Sequence, residues 1–160
     1  MGHEVSAYPQ NKKKLYPLLA SRLSALTKGV PHLIANLANA SALLKEALED
    51  VNWAGFYLLE GEKLVLGPFQ GRPAYIEIPV GKGVCGLAVA ENRPLLVEDV
   101  HLFEGHIACD SASRSEIVLP FYKDGKIFGV LDIDSPVRAR FDQEDQVGLE
   151  EFVRQLERAL

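Results

Sequence analysis

The sequence predicts a single α+β domain: a mainly antiparallel sheet with helices packed on one side. Three observations predict it. Apolar residues recur at helical spacing through the first 50 residues, give way to strand-like runs over 51–134, and return to helical spacing over 141–160. The strand-like runs follow one another through short turns, so hairpins outnumber possible crossovers. A chain of 160 residues with 48% hydrophobic and 24% charged content fits one domain with a full core.

The elements follow in order. Leu15, Leu18, Leu19, Leu23 and Leu26 mark a helix over about 12–27, broken by Gly29 and Pro31. Leu33, Leu37, Ala40, Leu44 and Leu48 form the stripe of a second helix over about 32–50. Residues 53–60 are aromatic-rich and strand-like, and Gly61 turns them into a strand at Leu64-Val65-Leu66. Ala74 to Ile78 reads as a third strand, stopped by Pro79. The alanine-rich stretch from Val84 to Glu91 suits a short helix, and Leu95 to Val97 a short strand. From Glu98 to Arg114 there is no periodicity, and a connection that long is usually functional. A hairpin follows, Ser115–Tyr122 and Lys126–Asp134 around Lys123-Asp124-Gly125. Asp142 is the expected N-cap of the closing helix, whose apolar face is Val147, Leu149, Phe152, Val153 and Leu156.

Composition excludes several function classes. A net charge of −5 argues against nucleic acid or an anionic membrane surface as partner. No apolar run approaches the roughly 18–20 residues that span a bilayer. The first residues lack a charged-then-apolar signal pattern, so the expected compartment is the cytoplasm. Two cysteines and four histidines show neither Cys-x-x-Cys nor His-x-x-x-His spacing, so no metal site is expected.

Two groups of residues carry chemistry. Asp132 and Asp134 are two apart on a strand whose neighbours Val130, Leu131 and Ile133 are apolar. Carboxylates there are costly without a role, although either could instead cap the Ser135-Pro136 turn. The turn decides whether Glu116 joins them. A three-residue loop would set Glu116 opposite Asp132. A two-residue Asp124-Gly125 turn would set it opposite Ile133, on the other face. The first register, which gathers three acids, is the expectation. Three carboxylates in a partly dry pocket cannot all ionise at pH 7, so at least one keeps its proton. Trp53 and Tyr57 could wall that pocket or serve as ordinary core aromatics.

The cysteines form the second group. Cys109 lies in a polar stretch with His101 and His106 nearby, a setting that could favour thiolate. His106 could assist it or simply shape the loop. Cys85 follows Gly81-Lys82-Gly83 at a helix start, which could also lower a thiol pKa, or it could be a small packing residue. In the cytosol a thiol pair points to redox chemistry more than to a stable disulfide.

These residues sit in strings that resemble one family. Asn52-Trp53-Ala54-Gly55-Phe56-Tyr57, Gly81-Lys82-Gly83-Val84-Cys85-Gly86, Gly105-His106-Ile107-Ala108-Cys109-Asp110, Ser115-Glu116-Ile117-Val118 and Gly129-Val130-Leu131-Asp132-Ile133-Asp134-Ser135 together resemble the free methionine-(R)-sulfoxide reductases, which are single GAF-domain enzymes. The resemblance covers nearly the whole chain. It implies that Cys109 attacks the sulfur of free methionine sulfoxide and becomes a sulfenic acid. A second cysteine then forms a disulfide that thioredoxin reduces. Glu116, Asp132 and Asp134 would bind the sulfoxide oxygen and the amino group, with Trp53 and Tyr57 near the S-methyl end. No bound cofactor is implied. One departure stands out: Tyr75 occupies the place, ten residues before Cys85, of a cysteine common in the family. That leaves Cys85 or an external thiol to resolve Cys109, and Cys85 is the expectation.

Two other readings compete: a GAF module sensing a cyclic nucleotide or similar small molecule, and a thiol switch without substrate. An acidic pocket suits a phosphate poorly, and a sensor needs no Cys109. The N-terminal helices could also pair two chains as a homodimer.

Overall fold

A computed structural model describes residues 8–107 and 111–160. Four helices and six strands run in the order α1 Lys12–Thr27, α2 Leu33–Ala47, β1 Trp53–Glu60, β2 Lys63–Gln70, β3 Glu77–Pro79, α3 Gly83–Glu91, β4 Leu95–Val97, β5 Ser115–Lys123, β6 Lys126–Ser135 and α4 Gln143–Glu157. Among the described residues, a 3-10 turn at Val100–Leu102 interrupts the long connection before β5. All adjacent strands pair antiparallel, in the order β3-β2-β1-β6-β5-β4.

Alternation along the central strands splits the interior in two. Ala54 and Phe56 of β1, Ile117, Leu119 and Phe121 of β5, and Leu131 and Ile133 of β6 face the main core, which α1, α2 and α4 close with Leu19, Leu23, Leu37, Leu44, Leu149, Phe152 and Leu156. Trp53, Tyr57, Val118 and Val130 point the other way and pack with Val84, Cys85 and Ala88 of α3. The expected single helical side therefore holds for α1, α2 and α4, whereas α3 covers the opposite face. Its two glycines and small side chains let it lie close to the sheet beside β3.

Helix ends are fixed by local chemistry. The Asn11 side chain accepts from the Lys13 N–H at the start of α1. Asp142 and Asp145 form a reciprocal capping box at the start of α4. Lys12 reaches both carboxylates, and the Tyr16 hydroxyl donates to Asp145 Oδ1 at 2.6 Å, locking α1 to α4. Two residues expected on apolar faces, Leu26 and Val147, are exposed. α2 is shorter than its apolar stripe suggests: it stops at Ala47, and Leu48 packs into the core from an extended backbone.

The last hairpin departs from both expected registers. The turn is the two-residue Asp124-Gly125, both at positive φ, as a tight twisted hairpin requires. A bulge then adds one residue, Phe128, between the Tyr122↔Ile127 and Phe121↔Gly129 pairs. Beyond it Glu116 pairs with Asp134, and Asp132 pairs with Val118. The expected Glu116–Asp132 pairing is thus corrected by two residues, to Glu116–Asp134, while the expected gathering of Glu116, Asp132 and Asp134 on one face holds.

Candidate active site

Two rows of paired residues cross the sheet centre. Trp53, Asp134 and Glu116 make one, and Gly55, Asp132 and Val118 the other. The side chains of a row share a face. Gly55 lies beside Asp132, and Phe69 takes the space a side chain there would need: a Cβ on Gly55 would lie 2.2 Å from Phe69 Cβ.

α3 brings Cys85 over this face. One ligand-capable atom from each of Cys85, Glu116 and Asp132 lies within 4.8 Å of the others. These residues are 4%, 5% and 6% exposed. His106, from the long connection, completes the ring, with Nε2 at 3.7 Å from Glu116 Oε1. Tyr57, Ile78, Val84, Ile107, Ser113 and Asp134 close the remaining sides of a space of only about 20 Å³, which is room for about one water.

Electrostatics follow from that closeness. Burial and the charges of Asp132 and Asp134 push the Glu116 carboxyl well above the usual carboxylate range. Burial also raises Asp132, opposed by hydrogen bonding from Glu116, Cys85 and Asp134. Among the described residues, the buried Asp132 Oδ1 has no hydrogen-bond partner. His106 is lowered, chiefly by burial, so beside Glu116 it is a neutral imidazole next to a neutral acid rather than half of an ion pair. The Cys85 thiol is raised well above its ordinary value, first by burial and then by the charges of Asp132, Glu116 and Asp134. This reverses the sequence expectation for Cys85. The start of α3 is there, but the carboxylates facing it outweigh the helix dipole.

The aromatic pair divides. Tyr57 lines the space, and its hydroxyl donates to the Tyr75 carbonyl at 2.9 Å. Trp53 lies behind, stacked on Tyr57 and Phe69, its indole N–H donating to the Arg72 carbonyl at 3.1 Å. Both rings thereby hold the 71–75 segment against the sheet. Gly71, at φ +145, makes the approach possible: a Cβ there would meet Trp53 Cδ1 at 2.4 Å.

Cys109 lies outside the described residues. The stems of its loop are well anchored: Val100 N–H donates to the Arg114 carbonyl, Ala139 N–H to the Glu98 carbonyl, and Asn52 Nδ2 to Ser113 Oγ. His101 points away to solvent beside Asp99. Ile78, Val84, Ile107 and Ser113 were not singled out from sequence. Ser113 and Ile107 carry no pattern of their own, and Val84 and Ile78 read simply as core.

The GAF domain family matches residues 32–160. The chain is 58% identical over 150 residues to the free methionine-R-sulfoxide reductase of Escherichia coli, covering 94% of this chain and 91% of that protein. The protein belongs to the free methionine-(R)-sulfoxide reductases of the GAF-domain family. It is an oxidoreductase. Among solved structures, the reduced form of fRMsr of Staphylococcus aureus is 55% identical, with a TM-score of 0.88 over 91% of this chain and 94% of that one. Free methionine-R-sulfoxide reductase of Neisseria meningitidis, in complex with its substrate, is 42% identical, with a TM-score of 0.91 over 99% and 95%.

Proposed function

We propose that this chain reduces free L-methionine-(R)-sulfoxide to methionine, with Cys109 as the attacking thiolate, a sulfenic acid on Cys109 as the first protein product, and a Cys85–Cys109 disulfide recycled by thioredoxin in the cytosol. The observation that carries it is the gathering of Glu116, Asp132 and Asp134 on one sheet face, the first two buried, beside a thiol and Tyr57. Sulfoxide oxygen is a poor leaving group until protonated. Glu116 supplies the proton, because burial and its two acidic neighbours keep it in the acid form. Asp132 and Asp134 offer negative charge for the substrate ammonium, and an acid that is ionised there has a cation to pair with. Tyr57, backed by Trp53, forms the apolar wall for the S-methyl group.

The steps balance. The Cys109 thiolate attacks the sulfoxide sulfur, the oxygen takes a proton and passes to Cys109 as S–OH, and methionine leaves reduced by two electrons. The Cys85 sulfur then bonds to Cys109 while the S–O bond breaks, and hydroxide departs as water with the Cys85 proton. A dithiol reductant exchanges with that disulfide and returns both thiols. Burial and the acids hold the proton on Cys85 until this step. A space of about 20 Å³ is too small for an amino acid, so its lining must part to admit substrate.

The test is a single turnover of reduced protein with free L-methionine-(R)-sulfoxide and no added reductant, followed by intact mass. Methionine release with a loss of about 2 Da supports the whole scheme. Release with a gain of about 16 Da keeps the reduction and removes Cys85 from the cycle. No methionine overturns the reading.

A further inference from the structure

The same space holds a donor set suited to a second occupant. It joins a thiol, two carboxylates and an imidazole, from four separate parts of the chain: α3, β5, β6 and the connection before β5. Ligand atoms of Cys85, Glu116 and Asp132 lie within 4.8 Å of one another. His106 Nε2 stands 3.7 Å from Glu116. In a tetrahedral zinc site with bonds of about 2.1 Å, neighbouring ligand atoms are about 3.4 Å apart. Side-chain rotation closes the difference. Asp132 Oδ1 adds an independent observation: it is buried, its residue lines this space, and among the described residues it has no hydrogen-bond partner. An acceptor left so is costly unless something binds it. Thiolate and imidazole select zinc over magnesium or calcium, which take oxygen ligands.

We propose that the reduced protein binds a single Zn²⁺ ion through Cys85, Glu116, Asp132 and His106, and that this ion and the sulfoxide substrate exclude each other. Binding exchanges protons for metal. The Cys85 S–H proton leaves to solvent as the Zn–S bond forms, any carboxyl proton does the same, and no electron moves. Exclusion follows because Glu116 and Asp132 serve both occupants. The ion would hold the thiol in an unreactive form when free zinc rises and release it when zinc falls. Metal binding itself does not depend on the sulfoxide reading; only the competition does.

Reduced full-length protein, kept under a phosphine without oxygen, is titrated with Zn²⁺ against a chromophoric chelator and with Co²⁺ as a spectroscopic probe. The expected result is one metal per chain and a thiolate-to-cobalt charge-transfer band. That band is lost in Cys85→Ser and kept in Cys109→Ser. Asp132→Asn and His106→Ala each weaken affinity at least about tenfold, the scale that outer-shell partners alone reach. His106→Ala changes a connection residue, so it reports even if Cys85→Ser does not fold. No saturable binding, a band that survives Cys85→Ser, or unchanged affinity in both Asp132→Asn and His106→Ala overturns the site. Turnover unaffected at full zinc occupancy overturns the exclusion. Zinc binding by a protein that releases no methionine overturns the proposed reduction and leaves the metal site standing.

Discussion

Glu116 sits where only its neutral form is comfortable. It is 5% exposed, shares its row with Asp134, and has Asp132 within reach. A glutamine there keeps the shape and a hydrogen-bond donor but has no proton to give. Glu116→Gln should lower the rate of methionine release by about 10²–10⁴-fold, checked by single-turnover kinetics on folded protein. Its stability effect has a definite sign. Above the ordinary value of 4.5 and below its raised folded value, the folded chain holds a proton that the unfolded chain has released. That contribution is full below 4.5 and is lost as pH rises through the folded value. Urea unfolding at about pH 5 and about pH 8 should show the variant gaining on the parent as pH rises. A variant-minus-parent stability that stays constant or falls as pH rises would refute the account. The acids were legible in sequence because a carboxylate on an apolar strand is conspicuous. The state of Cys85 was not, because it is set first by burial in the tertiary fold and then by charges on β5 and β6, more than thirty residues away in the chain.

At the scale of elements, the β5–β6 hairpin shows what sequence can and cannot decide. Turn chemistry alone would have separated Glu116 from Asp132. Asp124-Gly125 does form the two-residue turn, and a regular ladder from it would pair Glu116 with Ile133. One extra residue at the bulge restores the parity. A bulge has no sequence signature here, since Phe128 looks like any other strand aromatic. Deleting Phe128 should therefore leave the Glu116↔Asp134 pair intact, because a regular ladder then runs from the same turn into the same register. The expected outcome is turnover per folded molecule within about tenfold of the parent, with a stability loss of no more than about 3 kcal/mol from lost packing against Phe121. Abolished turnover in a well-folded deletion would show that the bulge itself shapes the site. The helices were easier to read. Their caps and stripes are local, as Asn11 and the Asp142–Asp145 box illustrate. The one error of placement, α3, came from asking which elements form rather than which face each would cover.

Across the whole molecule, the sheet separates the core that holds the fold from the face that holds the chemistry. α1 lies before the residues matched by the GAF family, which start at 32, yet it belongs to the main core through Leu15, Tyr16, Leu19 and Leu23. These side chains pack with α4 and α2 in the core on the side of the sheet opposite the acids. A helix in that position should matter to stability and not to reactivity. Leu23 is fully buried, so Leu23→Ala removes its contacts and leaves a cavity, at a cost of about 2–5 kcal/mol. Domains of this size hold only about 5–15 kcal/mol in total, so the variant should unfold at a clearly lower urea concentration. Its slope against urea should be unchanged, because the surface exposed on unfolding is nearly the same. Turnover per folded molecule should match the parent, since neither β1, β5, β6 nor α3 loses a contact on the acidic face. A Leu23→Ala protein that kept its midpoint would mean that α1 is an appendage. One that kept its stability but lost turnover would mean that the two faces of the sheet are coupled.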